Sequence, residues 1–305
     1  MVEIAGRTFA MGSERFYPEE RPIHDETVDG FWIDRHLVTN AQFAAFTAAT
    51  GYVTVAERPL DPAMFPGAPA ELLVPGGLVF DPPPGPVPLD DFTRWWAYVP
   101  GSSWRTPFGP RSSTDGRGDH PVVQVAFEDA EAYAAWRGAR LPTEAEWELA
   151  ARGGLDGAEF CWGDEPYPGG RQLANSWQGS FPWENTNLDG YLATSPVGAF
   201  PANGLGLFDM AGNVWEWTTD WWADQHGAVH SCCGPTVDRG DPEASKAPGE
   251  LQPRRVIKGG SHLCSPNYCL RFRPAARQPE AIDTATCHLG FRCVTDTDPS
   301  GRTAR

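Results

Sequence analysis

Two cysteines five residues apart, Cys264 and Cys269, are the side chains of this 305-residue chain best suited to chemistry. They lie in Lys258-Gly259-Gly260-Ser261-His262-Leu263-Cys264-Ser265-Pro266-Asn267-Tyr268-Cys269-Leu270-Arg271-Phe272-Arg273. Paired glycines free the backbone for a tight turn at the end of a strand, and Ser-Pro marks a second turn between the thiols. A local disulfide, two inert buried thiols and a metal site all fit this pattern. Structural zinc normally takes four ligands in paired clusters, yet the chain has no Cys-x-x-Cys, and Cys232 and Cys233 are adjacent. Two thiolates alone suit a soft ion of low coordination number, above all Cu(I).

Two other segments offer hard oxygen donors. In residues 204–222, Asn213 and Glu216 carry side-chain oxygens and the turn at Gly212 offers carbonyls, a set that suits Ca²⁺. The same residues also read as a polar turn flanked by core tryptophans. Asn175-Ser176-Trp177-Gln178-Gly179, with Asn187-Leu188-Asp189-Gly190-Tyr191, poses the same choice. Asp-Gly is a turn signal before it is a ligand.

The elements that must position these residues are short. Thr39-Asn40-Ala41-Gln42 and Thr143-Glu144-Ala145-Glu146 match capping boxes. The first predicts a helix carrying Phe43 and Phe46 to a stop at Gly51, the second a helix ending at Gly153-Gly154. Ala130, Tyr133, Ala134 and Trp136 recur at helical spacing over 128–137, before Gly138. Strands are expected at 31–33, 122–125, 255–258 and 290–294. Residues 81–88 are too rich in proline for a central strand or a helix interior and read as an extended surface insertion. Residues 232–249 read as irregular and 295–305 as a frayed, flexible tail.

Thirty-three glycines and 30 prolines exclude long helical bundles, and 13 tryptophans supply large apolar rings to a core built from loops. With no internal repeat and no clean linker, one irregular, loop-rich α+β domain over 1–294 is the economical reading. A formal charge of −16 disfavours nucleic-acid backbones and anionic membranes as partners. No stretch approaches the 18 apolar residues of a bilayer span. The first residues lack a signal peptide's basic and apolar regions, so the expected compartment is the cytoplasm. Seven cysteines are many for a reducing compartment, where retained thiols more often serve metal or redox chemistry.

The chain resembles the formylglycine-generating enzymes, the sulfatase-modifying factor family. Its landmarks are Met11-Gly12, Val38-Thr39-Asn40, His120-Pro121-Val122, Arg140-Leu141-Pro142-Thr143-Glu144-Ala145-Glu146-Trp147-Glu148, Gly212-Asn213-Val214-Trp215-Glu216-Trp217, Gly259-Gly260-Ser261 and Gly290-Phe291-Arg292-Cys293. Most of these belong to the wider superfamily and specify its fold, a variant of the C-type lectin fold. The discriminating feature is Cys264 with Cys269 inside Gly-Gly-Ser-x-x-Cys-x4-Cys-x-Arg.

The resemblance implies a copper-dependent oxidase that converts a cysteine of a client sulfatase, within Cys-x-Pro-x-Arg, to formylglycine with dioxygen. It implies Cu(I) on Cys264 and Cys269 as a linear bis-thiolate that the client thiol joins. It further implies hydrogen-bond donors from Ser261 and Trp217, and Tyr268 packed or bonded beside the metal. Two structural Ca²⁺ sites follow from it. One uses the Asn175 and Asp189 side chains with the carbonyls of Ser176 and Tyr191, the other Glu216 and Asn213 with carbonyls near Gly212 and Val214. The secretory members' disulfides are not expected, since Ala151 and Pro274 stand where those relatives carry cysteine and leave Cys293 without its partner. Cys161, Cys232, Cys233 and Cys287 have no role in the family pattern, although Cys232-Cys233 could relay metal or sense oxidation. The expected partner is an unfolded client segment met by a monomer. Two rivals are a non-catalytic lectin-like binding module and an iron-dependent sulfoxide synthase of the same superfamily. The latter usually carries an additional N-terminal helical domain with metal-binding histidines, and here the histidines are scattered.

Overall fold

Thr39 and Thr143 open two helices in the way their capping boxes predict. In the computed structural model, which describes residues 1–69, 71, 73–226 and 240–299, α1 runs Asn40–Thr50 and stops at Gly51 with φ 70°. Thr39 N donates to Gln42 Oε1 at 2.9 Å and Gln42 N returns the bond to Thr39 Oγ1. α2 (Phe127–Trp136) begins one residue before the expected start, because Asp129 accepts from Ala126 N at 2.9 Å and closes the turn there. α3 (Glu144–Arg152) is capped reciprocally by Thr143 and Glu146, ends at Gly153 with φ 62° and is buried along its whole length.

Among the described residues the strands are β1 (Val2–Ile4), β2 (Arg7–Met11), β3 (His24–Val28), β4 (Phe31–Ile33), β5 (Gly76–Phe80), β6 (Trp96–Pro100), β7 (Trp215–Trp221), β8 (Arg254–Lys258), β9 (Arg277–Ala281), β10 (Leu289–Gly290) and β11 (Val294–Thr295). They form the sheets β1-β4-β11, β10-β7-β8-β9, β2-β3 and β5-β6. β4 sits between the first and last strands, so Ile33 pairs with both Val2 and Val294. Short strands in several small sheets are the irregular α+β arrangement expected of so many turn formers. The core between them is aromatic: Trp95, Trp104, Trp147, Trp215 and Trp217 are all buried, contributed by loops, a helix and a strand.

Three expectations about elements are corrected. Residues 122–125 are buried but form no strand. Val122 N bonds to Val38 O and Gln124 N to Thr286 O, two different neighbours, and Gln124 takes φ 58°. Residues 290–294 are divided between β10 and β11, because Val38 N and Asp34 N take the carbonyls of Phe291 and Cys293 in between. The tail begins later than Thr295, which pairs with Trp32, and Arg140 holds Asp296 in an ion pair; residues 300–305 lie outside the described residues. Within 204–222, read as a polar turn flanked by core tryptophans, the turn at Gly212 leads into β7, and Trp215, Trp217 and Trp222 are buried.

Candidate active site

β8 delivers the chain to the thiols. Beyond Lys258, Gly259 and Gly260 take φ 91° and 69°, and a Cβ on Gly260 would meet Arg271 and Phe272 backbone atoms at 2.8 Å. Only glycine accommodates both the left-handed turn and this close approach. Cys264 N then bonds to Ser261 O at 2.9 Å and Cys269 N to Ser265 O at 2.7 Å, two tight turns that fold the thiols back on each other. The sulfurs stand 3.4 Å apart, far beyond the roughly 2.05 Å of a disulfide. Both cysteines are free and buried.

Their electrostatics are asymmetric. Ser261 N donates to Cys264 Sγ at 3.4 Å, and Arg271 Nη1 stands 3.7 Å from Cys269 Sγ. The hydrogen bond from Cys264, with Arg271 adding to it against the opposing effect of burial, brings Cys269 down to about 7. Burial, then the hydrogen bond and charge of Cys269, push Cys264 well above the ordinary thiol range. Cys269 is therefore the sulfur that ionises first, and thiolate is the soft donor form. In the metal-free protein, iodoacetamide should label Cys269 with a midpoint near pH 7 while Cys264 stays silent. Labelling of both with an ordinary thiol midpoint would remove this asymmetry.

The other expected site residues divide. Ser261 is fully buried, and its hydroxyl oxygen accepts from Leu263 N at 3.2 Å, which leaves its proton to donate. Tyr268 is 39% exposed and stacks on Phe181 with ring centroids 4.6 Å apart, edge-on to Trp95. Its ring partners belong to an apolar cluster of Trp95, Trp177, Phe181 and Leu263. Trp217 is a correction. Its indole N–H is spent on Val125 O at 3.0 Å and its ring packs against Phe127, so it is a core indole and no donor to the thiol site. Arg271 was passed over as the tail of a motif, and the Cys-x-Arg spacing was its signal in the sequence.

Of the oxygen-donor sets, the first fits a cation. Asn175 and Ser176 are buried, and Asn175 Oδ1 has no hydrogen-bond partner, a costly state for a buried acceptor. Asp189 accepts from Ser176 N at 3.2 Å, Gln178 Nε2 at 2.8 Å and Tyr191 N at 2.9 Å, which brings three of the four expected residues together, and Asn175 precedes Ser176 in the chain. Burial raises the Asp189 carboxyl against these donors; a cation would relieve that cost. The second set is arranged otherwise. Glu216 gives both oxygens to Arg292, at 2.7 and 2.8 Å, with both side chains fully buried. Asn213 Oδ1 accepts from Ser195 N and Gly212 N bonds to Gly259 O. The carboxylate expected as a calcium ligand is an arginine's partner here, and neither side chain is left orphaned as Asn175 is.

Three other thiols are inert by burial. Cys161 donates to Met210 O, Cys287 accepts from Phe80 N, and both are pushed up to about 12; Cys293 is raised beyond that by burial and the Asp34 charge. Cys232 and Cys233 lie outside the described residues. Histidine spacing hides one pair at i,i+4, His226 and His230; His226 packs on His24, and His230 is also outside the described residues. Among the described residues no group of three or more His, Cys, Asp or Glu could hold a metal.

The chain is similar to known proteins along nearly its whole length. The model of the sulfatase-modifying factor enzyme 1-like domain matches residues 1–297. The formylglycine-generating enzyme of Mycobacterium tuberculosis is 56% identical, over 97% of each chain. A Bos taurus protein named inactive C-alpha-formylglycine-generating enzyme 2 is 36% identical over 96% of this chain and 87% of its own. Among solved structures, PvdO from Pseudomonas aeruginosa superposes with a TM-score of 0.64 at 25% identity, covering 97% of this chain and 93% of that one.

Proposed function

Because the chain belongs to the family of sulfatase-modifying factor enzymes, we propose that it generates formylglycine by oxidising a cysteine of a client sulfatase, using Cu(I) held by Cys264 and Cys269. The observation that carries this reading is the pair of buried sulfurs, hydrogen-bonded at 3.4 Å with no disulfide between them. A family that includes a relative named inactive does not by itself decide activity, so the weight rests on these two sulfurs. A binding module of the same fold has no use for two buried thiols held side by side without a disulfide.

When bound, Cu(I) supplies a soft centre for the client's sulfur and for dioxygen. The client side chain, –CH₂–SH, loses two electrons and two protons to dioxygen, which becomes hydrogen peroxide, or two waters where an external thiol reductant supplies two more of each. Water then replaces sulfur, which leaves as hydrogen sulfide, and –CHO remains. The chain's own residues bind and exclude. Cys264 and Cys269 are the ligands, and Arg271 offsets the negative charge that thiolates bring into a buried site. Ser261 donates its amide to Cys264 Sγ and keeps a hydroxyl proton to give. Tyr268, Phe181 and Trp95 keep one wall apolar, which strengthens charge interactions inside by excluding water. We read the client as an extended segment with Cys-x-Pro-x-Arg, held through its backbone and a few side-chain pockets, on a monomeric enzyme.

A Cys-x-Pro-x-Arg peptide incubated with the protein, Cu(I) and air should lose mass consistent with replacement of thiol by aldehyde. An unchanged peptide mass, with the wild type folded and copper-loaded, would count decisively against this function.

The orphaned Asn175 Oδ1 and the partly buried Asp189 support a structural Ca²⁺ held with the carbonyls of Ser176 and Tyr191. At calcium 100 times the dissociation constant this contributes about 2.7 kcal/mol. Excess chelator should lower the melting temperature of the wild type and leave that of Asn175→Ala nearly unmoved. Equal shifts in both proteins, or none in either, would disprove this site. At residues 212–216 a cation would have to displace Arg292 from Glu216, and we assign none there.

A further inference from the structure

Residues 16–20 lie against the downstream side of the thiol pair. Tyr17 Oη accepts from Leu270 N at 3.0 Å, across a sequence separation of 253. That amide follows Cys269 directly. The Tyr17 ring lies 3.8 Å beneath the Arg271 guanidinium. Glu19 pairs with Nη2 of the same guanidinium, whose Nη1 reaches Cys269 Sγ. Next to them, Glu20 and Arg273 form a fully buried ion pair with Arg273 stacked on Phe16. Neither Tyr17 nor Glu19 has a hydrogen bond to a thiol. Each holds something that does the touching: the Leu270 peptide in one case, the Arg271 guanidinium in the other.

We propose that Tyr17 and Glu19 are positioning residues of the thiol site, a clamp that fixes the Leu270 peptide and the Arg271 guanidinium and through them the direction of Cys269 Sγ. Arginine carries about 2 kcal/mol of rotamer entropy. A guanidinium held by a carboxylate on one edge and an aromatic face below spends that entropy in folding, before any metal arrives. The Glu19 and Arg271 side chains are only 18% and 20% exposed, so water screens the pair weakly. Partners of this outer kind typically set metal affinity by 10–100-fold. The consequence for copper rests on the function proposed above; the clamp itself does not.

Two measurements on the full chain separate those claims. In the metal-free protein, hydrogen exchange at the Leu270 amide should rise severalfold in Tyr17→Phe, which keeps the ring under Arg271 but removes the acceptor. In competition with a chromophoric Cu(I) chelator, Tyr17→Phe and Glu19→Gln should each bind copper about 10–100-fold more weakly than the wild type. Arg271→Gln should match or exceed that loss, and Arg271→Lys should recover part of it. Unchanged Leu270 exchange in Tyr17→Phe overturns the clamp. So does a lowered melting temperature with unaltered Cu(I) affinity, since a merely structural role would give that result. If the wild type takes up no Cu(I), the copper reading fails, and the exchange rate alone decides the clamp.

Discussion

Cys269→Ala should abolish both turnover of a Cys-x-Pro-x-Arg peptide and Cu(I) uptake while leaving the fold intact. The side chain removed is small and makes no contact on which an element depends; its turn is held by the Cys269 and Tyr268 amides bonding to Ser265 O. Loss of one buried sulfur costs about 1–2 kcal/mol, well inside the margin of a domain this size. The chemical loss is total because two ligands are the minimum for gripping an ion, and the pair has no third His, Cys, Asp or Glu in reserve among the described residues. Cys264→Ala gives the same loss with a second signature. Its hydrogen bond is the largest influence lowering Cys269, so the labelling midpoint of Cys269 should climb from about 7 toward the ordinary thiol range. Circular dichroism and melting check the fold, and equilibrium dialysis checks copper. Retained oxidation of the peptide by Cys269→Ala would take the chemistry away from these sulfurs altogether.

Glu216→Ala should be strongly destabilising. Glu216 in β7 pairs in register with Gly290 of β10, and Arg292 follows two residues later, which brings the guanidinium under the carboxylate. Arg292 also donates to the Asp34, Phe208 and Asp209 carbonyls. Both charges are fully buried. Removing one partner of such a pair costs about 3–5 kcal/mol, because the survivor is left charged in the interior. At about 2 °C per kcal/mol for a large domain, the melting temperature should fall by about 6–10 °C. Glu216→Met with Arg292→Met should regain much of this, since well-packed apolar replacements often match a buried ion pair. A single variant that melts with the wild type would contradict the ion-pair account. A loss that vanishes in excess chelator would instead return Glu216 to the role of a calcium ligand.

What could be read from the sequence follows a physical division between local and distant partners. Capping boxes are complete within four residues, so α1 and α3 were legible to the residue at their starts. The thiol pair was legible because its two turns, and the glycines that permit them, are contiguous. The pairing of Asn175 with Asp189 came from the family resemblance and not from the turns themselves, and the Asn175 orphan oxygen is visible only in three dimensions. Trp217 was misassigned because an indole's donor direction depends on a partner 92 residues away, Val125. Residues 122–125 imitate a strand since they are apolar and β-branched, but their hydrogen bonds go to Val38 and Thr286. Glu216 announced a carboxylate without announcing Arg292. Tyr17 and Glu19 gave no local sign at all, because their partners come from the other end of the chain.

That last arrangement bears on how the protein is made. β4 waits between β1 and β11, the Arg273–Glu20 pair closes across a sequence separation of 253, and the second turn's clamp closes across the same distance. A ribosome must therefore release nearly the whole polypeptide before Cys269 can acquire its surroundings. Until then, the tryptophan-rich stretch of β7 is already translated but has neither β8 nor β10 beside it, a state open to capture by chaperones or by other nascent chains. Topologies dominated by such distant pairings fold slowly. Two fragments divided in the loop between β6 and α2 should each lack half of every one of these closures, and thiol reactivity of the matured kind should return only when both are mixed.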